Sequence, residues 1–460
     1  MKRYEEYKAT GTEWMPSIPV WWDIQKIGAL FAQRKEKVSD KDFAPISVTK
    51  SGILPQLATA AKTDDGDNRK KVCVGDFVIN SRSDRKGSCG VSSLEGSVSL
   101  INIVLEPREQ LSGKYTHYLL RSHLFSEEFY RNGHGIVADL WTTRYSEMKT
   151  ILLPVPARAE QDQIVRYLDW QVSKINRLIA AKRKQIALLK EQKQRKITEV
   201  VVHGLKPNVP HKDTGIAWIG SIPAHWHCVA LKRCATVKSG ITLGKQYPVG
   251  TNLVSVPYLR VANVQDSFVN IETVTNLNVT PEEAAQYALP RGCVLMTEGG
   301  DRDKLGRGCV WNGEIENCIH QNHIFAVTVN DKLLLNKWLE YVSACDIGRV
   351  YFDVTAIKTT NLACTNASKV MAFPSPLPPR DEQECIINEL NRITSRFNDA
   401  RESLEKQIEY LQELRTRLIS DVVTGQIDVR GIEVPEYEYV DDIDAVSELT
   451  DESDEDTEVE

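Results

Sequence analysis

Residues that could perform catalysis do not form a recognised catalytic motif in this 460-residue sequence. The run Gly240–Lys245 resembles a nucleotide-binding Walker loop, but it is one spacer short, and Gln246 stands where a Ser or Thr would bind magnesium. The histidine clusters at 225–227 and 320–323 lack a third ligand at a telling spacing, which favours strand-edge or turn histidines over a metal site. The acidic run 298–304 is interrupted by glycines and basic residues and predicts an exposed loop rather than a nuclease carboxylate pair.

Binding is the chemistry that remains, because basic and polar loops follow predicted strands in both halves of the chain. Arg and Lys can neutralise phosphates, Asn can read adenine, and Gly lets the backbone approach a ligand closely. One such loop alone is more often a solvated surface, but recurrence in both halves favours DNA binding. The candidate DNA-binding residues are Arg82, Arg85, Lys86, Arg144, Lys238, Lys245, Arg302, Lys304, Arg307, Lys358, Thr359 and Asn361.

Charge is unevenly distributed along the chain. The sequence holds 57 Lys and Arg against 63 Asp and Glu, a formal charge of -6, but residues 431–460 contain fourteen of the acids and no Lys or Arg. The preceding residues therefore carry +8, which suits a nucleic-acid partner. An acidic stretch of this kind cannot bury its charges, so we predict a solvated, disordered tail. It either has no function or competes with DNA or a partner for basic surfaces.

Length and hydropathy indicate the class of protein. Single cores stop growing beyond roughly 250 to 300 residues, so more than one core is expected. No apolar run reaches about 18 residues, and the N-terminal residues lack the apolar stretch of a signal peptide. We therefore expect a soluble, cytoplasmic protein with no membrane association.

The sequence repeats itself. The run Trp14–Trp22 matches Trp218–Trp226, with Trp, Ser-Ile-Pro and Trp in register. Further along, the Pro-rich run and Glu-Gln pair of 154–161 match those of 374–383, with two residues inserted. Each Glu-Gln pair opens a long helical pattern. The chain therefore contains two related units, each followed by a long helix.

Two long amphipathic helices are predicted, over about 163–201 and 383–423. Neither range contains Pro or Gly, and the stops Gly204 and Gly425 follow them. Each helix is roughly 60 Å long at 1.5 Å per residue, and an apolar seam repeating every 3.5 residues requires a partner helix. The predicted seam residues are Leu168, Val172, Ile175, Ile179, Ile186, Leu189, Ile393, Phe397, Leu404, Leu411, Leu414 and Leu418.

Charge indicates that the two helices pair with each other. Residues 158–206 hold twelve basic and five acidic side chains, whereas residues 380–424 hold seven basic and ten acidic ones. Opposite net charges favour pairing between the helices over self-pairing. Two independent amphipathic helices, each packed on its own domain, are the alternative.

Short apolar runs broken by turn residues fill the remaining segments and predict strands, at 72–80, 98–105, 293–296 and 323–329. Helical patches at 115–121 and 337–344 lie between them. The predicted fold class is α/β, with two mixed α/β domains in tandem, separated and joined by two long helices that form an antiparallel coiled coil, and with a disordered acidic tail. The predicted divisions are 1–155 for the first domain, 156–206 for the first long helix and linker, 207–377 for the second domain, 378–430 for the second long helix and 431–460 for the tail.

Taken together, the motifs resemble the specificity subunit of type I restriction-modification systems over essentially residues 10–430. The acidic tail is not part of that pattern. The matching runs open each target-recognition domain, lead into the two long helices and close the second one; they are 17–22, 220–226, 154–161, 374–383 and 418–429.

The resemblance implies a non-catalytic subunit in which each recognition domain reads one half of a bipartite, asymmetric double-stranded DNA target, while the helices set the spacer. It implies two adenine-N6 methylase subunits, which use S-adenosylmethionine and dock on the helices. It also implies two restriction subunits, translocase-endonucleases that use ATP and magnesium. No cofactor or metal is expected on this chain itself. Base-reading residues vary within the family, so the resemblance identifies none of them here.

Two other functions stay open from the residues alone. One is a free-standing sequence-specific DNA-binding protein built from the same modules, which predicts tight DNA binding without methylase subunits. The other is a coiled-coil scaffold with no nucleic-acid role, which predicts no salt-dependent DNA binding.

Overall fold

The computed structural model of the protein describes residues 2–57, 66–135, 141–300, 305–306, 308–358 and 363–440. The chain divides into two compact units. Unit 1 combines the described residues up to Lys184 with those from Leu404 onward, and unit 2 is Gln185–Ser403. Both long helices contribute to both units. The two units are compact regions of the fold. The predicted domain boundaries remain a prediction.

Unit 1 is a mixed α/β structure built from short strands and short helices. Its strands are β1 (Tyr7–Ala9), β2 (Ser17–Pro19), β3 (Asp23–Lys26), β4 (Phe31–Gln33), β5 (Lys37–Val38), β6 (Ile46–Thr49), β7 (Gly52–Pro55), β8 (Arg69–Val72), β9 (Phe77–Asn80), β10 (Cys89–Val91), β11 (Gly96–Val98), β12 (Asn102–Pro107) and β13 (Leu152–Val155). Its short helices are α1 (Ile27–Leu30), α2 (Gly113–Leu120), α3 (His123–Arg131) and α4 (Tyr145–Met148). The first long helix, α5 (Arg158–His203), follows with 46 residues.

Unit 2 has the same mixed character, which confirms the predicted α/β class. Its strands are β14 (His211–Asp213), β15 (Ser221–Pro223), β16 (His227–Ala230), β17 (Ala235–Ser239), β18 (Val254–Leu259), β19 (Thr275–Val279), β20 (Val294–Thr297), β21 (Gly299–Gly300), β22 (Gly308–Val310), β23 (Ile319–His320), β24 (Ile324–Val329), β25 (Ile357–Lys358), β26 (Ala363–Cys364) and β27 (Pro374–Leu377). Its short helices are α6 (Pro281–Tyr287), α7 (Asn336–Ala344), α8 (Asp346–Thr355) and α9 (Ala367–Ala372). The second long helix, α10 (Arg380–Val423), has 44 residues.

The central sheets of the two units share one topology. The four-stranded sheet of unit 1 has the order β10-β9-β12-β4, and that of unit 2 has the order β22-β20-β24-β17. Every neighbouring pair in both sheets is antiparallel. All four residues of β9 and of β20 are buried, which means that both faces of each sheet are covered at this strand.

The repeated Ser-Ile-Pro motifs form β2 and β15, which pair with β1 and β14 respectively. Trp22 and Trp226, at the end of each motif, are fully buried. Gly425, which follows α10, lies against Trp22, and Gly204, which follows α5, lies against Trp226. Both glycines have left-handed φ angles, 74° and 71°, so the predicted Gly stops allow each helix to end against a buried tryptophan.

The two long helices pack together, as predicted. In unit 1, Arg415 Nη1 donates to Asn176 Oδ1 at 2.8 Å, and Lys182 Nζ donates to Gln407 Oε1 at 2.6 Å. Positions that rise along α5 meet positions that fall along α10, so the pairing in unit 1 is antiparallel. Lys182 and Gln407 are polar interruptions of the two predicted seams. Since they meet each other, they favour a single register of the helices.

The helix pairing within unit 2 is marked by a similar contact. Lys193 Nζ, at another polar interruption of the seam, donates to Asn398 Oδ1 at 3.1 Å. Burial lowers the pKa of Lys193, and the neighbouring charge of Arg401 adds to the effect. The apolar contacts of the pair join the unit 2 core through Ile197 and Ile393.

Most predicted seam residues are shielded from solvent, but their role in a supercoiled seam stays a prediction. Leu414 is the most open of them, at 38% exposure. The buried ones are Leu168, Ile175, Ile179, Ile393 and Leu418, and the partly buried ones are Val172, Ile186, Leu189, Phe397, Leu404 and Leu411.

Two predicted strands are each divided by a turn. The run 72–80 leaves β8 at Val72 and enters β9 at Phe77, with Gly75 at a φ of 93° between them. The run 98–105 is broken between β11 and β12, where the Asn102 amide donates to the Ser99 carbonyl. Apolar content predicted the strands but did not reveal the turns inside them.

The chain that follows α10 lies along α5 in unit 1. Gln163 Nε2 donates to the carbonyl oxygens of Val429 and Ile432, at 3.0 and 2.7 Å. The predicted tail begins at residue 431; Ile432, Glu438 and Val440 contact the helix, whereas most of residues 431–440 are exposed, as predicted. Residues 441–460 lie outside the described residues.

Candidate nucleic-acid interface

A buried glutamine anchors the start of α5 to unit 1. The Gln161 Nε2 donates to the carbonyl oxygens of Gln110 and Pro156, both at 2.9 Å. Its Oε1 accepts from the Ser112 amide at 2.8 Å. We call Gln161 with these three partners the helix-start socket of unit 1.

Unit 2 has the same arrangement at the start of α10. The Gln383 Nε2 donates to the carbonyl oxygens of Leu333 and Pro378, both at 2.9 Å, and its Oε1 accepts from the Leu335 amide at 2.9 Å. Gln161 and Gln383 are both fully buried. The repeated Glu-Gln pair in the sequence therefore marks two equivalent sockets that fix each long helix on its unit.

The glutamates of the two Glu-Gln pairs also bind neighbouring residues. Glu160 accepts a hydrogen bond from the Tyr4 hydroxyl at 2.8 Å. Glu382 accepts from Trp226 Nε1 at 3.1 Å and lies 2.8 Å from His225 Nε2. One histidine of the predicted turn cluster is thus engaged by a carboxylate.

Three loops of unit 1 meet on one surface. The Ser83 amide donates to the Trp141 carbonyl at 3.1 Å, and the Thr143 amide donates to the Ser81 carbonyl at 3.0 Å. Thr142 in turn exchanges both backbone hydrogen bonds with His134, at 3.0 and 3.1 Å. The loop after β9 and the segments after α3 and before α4 are therefore joined through their backbones. We call this the unit 1 loop surface, residues 81–88, 131–135 and 141–144.

Two aromatic residues hold the unit 1 loop surface in place. The Tyr130 hydroxyl, at the end of α3, lies 3.2 Å from the carbonyl oxygens of Asn80 and Arg85 and can donate to both. Trp141 Nε1 donates to the Tyr130 carbonyl at 2.7 Å. Sequence reasoning did not single out Tyr130, because a tyrosine in an apolar helical pattern is indistinguishable from an ordinary core residue.

Three of the predicted basic residues are exposed on this surface. Arg82, Arg85 and Arg144 all present exposed side chains, although Asp84 lies 4.0 Å from Arg85. Lys86 is different, because its Nζ lies 2.6 Å from Glu127 Oε1 and 5.8 Å from the centre of the Tyr130 ring. The structure thus brings the unit 1 candidates together and leaves the arginines better placed than Lys86 to bind phosphate or base edges.

The corresponding place in unit 2 has the same backbone pairing. Gly299 pairs with Cys364 in the β21–β26 ladder, as Arg82 pairs with Thr142 in unit 1. The Thr365 amide donates to the Glu298 carbonyl at 2.7 Å, as Thr143 does to Ser81. Each unit therefore carries the same loop junction with different side chains, arginine in one case and glycine in the other. We call the described unit 2 residues 298–300 and 357–358 with 363–365 the unit 2 loop surface.

Of the predicted unit 2 residues, only some lie in the described part. Lys238 is exposed on β17, in a different sheet from Lys358, which pairs through its backbone with Ala363. Lys245 forms an ion pair with Glu283, and this contact lowers the pKa of the Glu283 carboxyl to about 2. The predicted residues Arg302, Lys304, Arg307, Thr359 and Asn361 lie outside the described residues.

The predicted acidic loop and histidine clusters take a defined form. Gly299–Gly300 form a short strand, so the prediction of an exposed loop is wrong at these two residues, which backbone pairing with β26 holds in place. The Glu298 carboxylate lies 2.5 Å from His323 Nδ1. Among the described residues, no three His, Cys, Asp or Glu side chains are grouped as metal ligands would be.

His320 lies on β23, an edge strand of the sheet β19-β18-β23, which confirms the predicted strand-edge position, but its side chain is buried. Its exposure is 2%, and the backbone groups of Lys238 and Tyr287 lie beside the imidazole. Burial lowers the pKa of the imidazole to about 4. The imidazole is therefore neutral in the folded chain at neutral pH.

A second duplicated surface lies beside the helix starts. Arg158 pairs with Asp162 at 3.2 Å in unit 1, and Arg380 pairs with Glu384 at 3.5 Å in unit 2. The Tyr118 hydroxyl donates to Asp169 at 2.8 Å, and the Tyr341 hydroxyl donates to Asn391 at 2.8 Å. We call these the helix-start surfaces; sequence reasoning missed them because their residues are not adjacent in the chain.

No family model matches the chain. Among the described residues, none of the helices is both long and apolar enough to cross a membrane. Solved structures of restriction-modification proteins, however, resemble it over most of its length.

One similar chain comes from a structure described as the structural basis of complex assembly and conformational transition of the type I R-M system. Its TM-score is 0.61 at 16% identity, and the match covers 89% of this chain and 99% of that one. The HsdS subunit from Thermoanaerobacter tengcongensis has a TM-score of 0.44 at 15% identity, covering 91% of this chain and 100% of that one. The S subunit of a type I restriction-modification system from M. genitalium has a TM-score of 0.32 at 14% identity, covering 91% and 97%. The expected resemblance is thus confirmed at the level of the fold: this chain shares its fold with a chain of a solved type I restriction-modification system.

Proposed function

We propose that this chain is the non-catalytic specificity subunit of a type I restriction-modification complex. The observation that carries the proposal is the duplication itself: two units with the same sheet order and the same helix-start socket carry equivalent loop junctions with different side chains. Two readers built on one plan but with different reading residues suit an asymmetric, bipartite double-stranded DNA target.

The reading residues would lie on the two loop surfaces. In unit 1 the exposed Arg82, Arg85 and Arg144 have the chemistry to bind phosphates or guanine edges. In unit 2 the equivalent of Arg82 is Gly299, so this loop surface must recognise its half-site with other groups. The difference supports two half-sites of unlike sequence.

The paired long helices would set the spacer between the half-sites. Polar contacts such as that between Lys182 and Gln407 favour one register over its neighbours. Two readers on one support gain effective concentration only when both half-sites lie at the matching separation. Helices paired in one register would therefore require a fixed number of base pairs between the two half-sites.

Catalysis and cofactors would belong to partner subunits. The duplicated helix-start surfaces support docking of the same partner twice, since both carry an Arg–carboxylate pair and a tyrosine bonded to the long helix. We assign them to two adenine-N6 methylase subunits, which bind S-adenosylmethionine. Two restriction subunits, which use ATP and magnesium, would complete the assembly.

The test is coexpression of the chain with its methylase subunit in a host free of adenine methylation, followed by sequencing of methylated adenines. The proposal expects one motif of two short defined blocks separated by a fixed unspecified gap. Tight DNA binding by the purified chain without any methylation would contradict the role as a subunit. Absence of DNA binding would contradict both that role and DNA recognition by this chain.

A further inference from the structure

The chain after α10 is anchored to unit 1 before it reaches the acidic tail. We call residues 426–440 the C-terminal strap. The Asp428 amide donates to the Lys2 carbonyl at 3.0 Å, and the Arg430 guanidinium stacks on Tyr4 and Trp21, 5.0 and 4.5 Å from the ring centres. These contacts fix the beginning of the strap.

The end of the strap is fixed on the middle of α5. The Val440 amide donates to Ser173 Oγ, and Asn176 Nδ2 donates to the Val440 carbonyl, both at 3.2 Å. Ser173 and Asn176 are only 1% and 2% exposed, so both polar side chains are buried where they bind the strap. Since Gln163 binds the strap near its beginning, the strap runs in the same direction as α5.

A row of cations lies on α5 at the point where the strap ends. From Trp170 to Lys184 the helix contains five basic residues and no acidic one. Lys174, Arg177 and Lys184 are exposed, and their spacing of three and seven places them on one face. We call these three residues the α5 basic stripe.

The strap already places one carboxylate on this stripe. Arg177 Nη2 lies 3.5 Å from Glu438 Oε2 and donates to the Glu438 carbonyl at 3.1 Å. In the part of the chain that the structure describes, neither Lys174 nor Lys184 has an ion-pair partner. Two of the three cations are therefore available to further acids.

The next residues in the sequence supply such acids. Residues 441–460 contain eleven Asp and Glu and no Lys or Arg, and they begin directly after Val440. Lys184 lies only about 12 Å along the helix from Asn176, well within the reach of about 3.3 Å per residue for this segment. A segment tethered beside its target has an effective concentration in the millimolar range, on the order of that of short flexible linkers.

We propose that the acidic residues 441–460 bind in cis to the α5 basic stripe and keep other polyanions off it. A row of exposed cations is the feature by which proteins bind nucleic-acid backbones without sequence preference. A tethered acidic segment reaches these cations without the translational cost of a bimolecular association, although ordering it costs conformational entropy, and a phosphate backbone must displace it. The inference concerns nonspecific binding and does not depend on the proposed target recognition.

The first measurement is zero-length carbodiimide crosslinking of the full chain at low salt, which couples carboxylates to lysine amines in contact. Mass spectrometry should find residues 441–460 joined to Lys174 and Lys184. The Lys174→Gln/Lys184→Gln variant should lose these crosslinks, whereas Lys41→Gln, at an exposed lysine away from the stripe, should keep them.

The second measurement is binding of a random-sequence DNA duplex without a target site. A chain ending at Val440, and a full-length variant with every Asp and Glu of 441–460 changed to Asn or Gln, should both bind this duplex roughly tenfold more tightly at low salt. Their salt slope should be steeper by about 2, close to 0.9 for each of the two uncovered lysines. Absence of the crosslinks, or an unchanged affinity of both variants, overturns the proposal.

Discussion

The helix-start sockets of the two units match bond for bond, whereas their loop surfaces match only in backbone. Gln161 and Gln383 each make the same three hydrogen bonds. At the loop junction, by contrast, Arg82 stands opposite Thr142 in unit 1, and Gly299 stands opposite Cys364 in unit 2. The two units therefore have the same helix-start socket, whereas the side chains at their loop junctions differ.

In the proposed function, the sockets position the two recognition surfaces and the exposed loop side chains contact the DNA. A buried glutamine with three partners is costly to change, because each loss leaves a buried polar group unpaired. An exposed arginine can be replaced without loss of fold. In the proposed function, different side chains at the exposed loop positions let two units with the same socket read unlike sequences.

Shortening the helices should have the largest effect. Removing residues 183–189 from α5 together with 400–406 from α10 deletes one heptad from each helix and keeps the contacts on either side in register, including that between Lys182 and Gln407. We expect the half-sites to keep their sequences, while the spacer shortens by about three base pairs, at about 10 Å per heptad and 3.4 Å per base pair. Binding to the original spacing should fall by roughly a hundredfold or more.

Selection of bound sequences from a random library measures this shift. Deleting only 183–189 is the control, since it puts the helices out of register and should destabilise the chain instead. A double-deletion variant that selects the original spacer would contradict the role of the helices.

Breaking the sockets should have the next largest effect. Gln161→Leu and Gln383→Leu each leave a buried amide and two carbonyl oxygens without partners, so each should lower the free energy of unfolding by about 3 kcal/mol. Gln192→Leu, at an exposed position on α5, should change it by less than about 0.5 kcal/mol. Denaturant unfolding gives these values. A large loss for one socket and none for the other would show that the two supports are not equivalent.

Acid should destabilise the chain through His320. The folded state holds the imidazole pKa at about 4, whereas the unfolded value is 6.5. Between these values the unfolded chain binds more protons, so stability falls as the pH falls, by about 2 kcal/mol at pH 5.

Replacing this histidine isolates its contribution. His320→Leu should remove that part of the pH dependence, whereas His227→Leu, at an exposed position, should not. Urea unfolding at pH 7 and pH 5 measures the difference. Equal pH dependence of the native chain and His320→Leu would show that His320 is protonated in the folded state.

Single substitutions on the unit 1 loop surface should have the smallest effects and should differ from one another. Arg82→Ala and Arg85→Ala should each weaken DNA binding and flatten its salt slope by about 0.9. Lys86→Ala should do less, because Glu127 already holds that ammonium. Equal effects of all three variants on binding at several salt concentrations would show that Lys86 leaves Glu127 to bind DNA.

Local patterns in the sequence predicted much of the fold. The apolar seams predicted both long helices, which extend a few residues further than expected, to Arg158–His203 and Arg380–Val423. Lys182 and Gln407 occupy polar positions within the two predicted seams, and the hydrogen bond between them gives each a partner. Periodicity reports which face of a helix is buried but not which partner residue a polar position meets.

The candidate site was less predictable, because its contacts join distant residues. Lys86 and Lys245 looked free in the sequence, but Glu127 and Glu283 neutralise them through folding. Acidic composition correctly predicted solvent exposure for most of residues 431–440, but it did not predict that the carbonyls of Ile432 and Val440 bind α5. Composition describes side-chain charge, and it misses a segment held mainly through its carbonyl and amide groups.

The central claim is that two exchangeable readers share one support. The most direct test replaces residues 13–155 with the corresponding domain of another specificity subunit, coexpresses the hybrid with the methylase and sequences the methylated adenines. We predict a motif in which one block changes while the other block and the spacer stay the same. A motif changed in both blocks, or unchanged in both, would contradict the account.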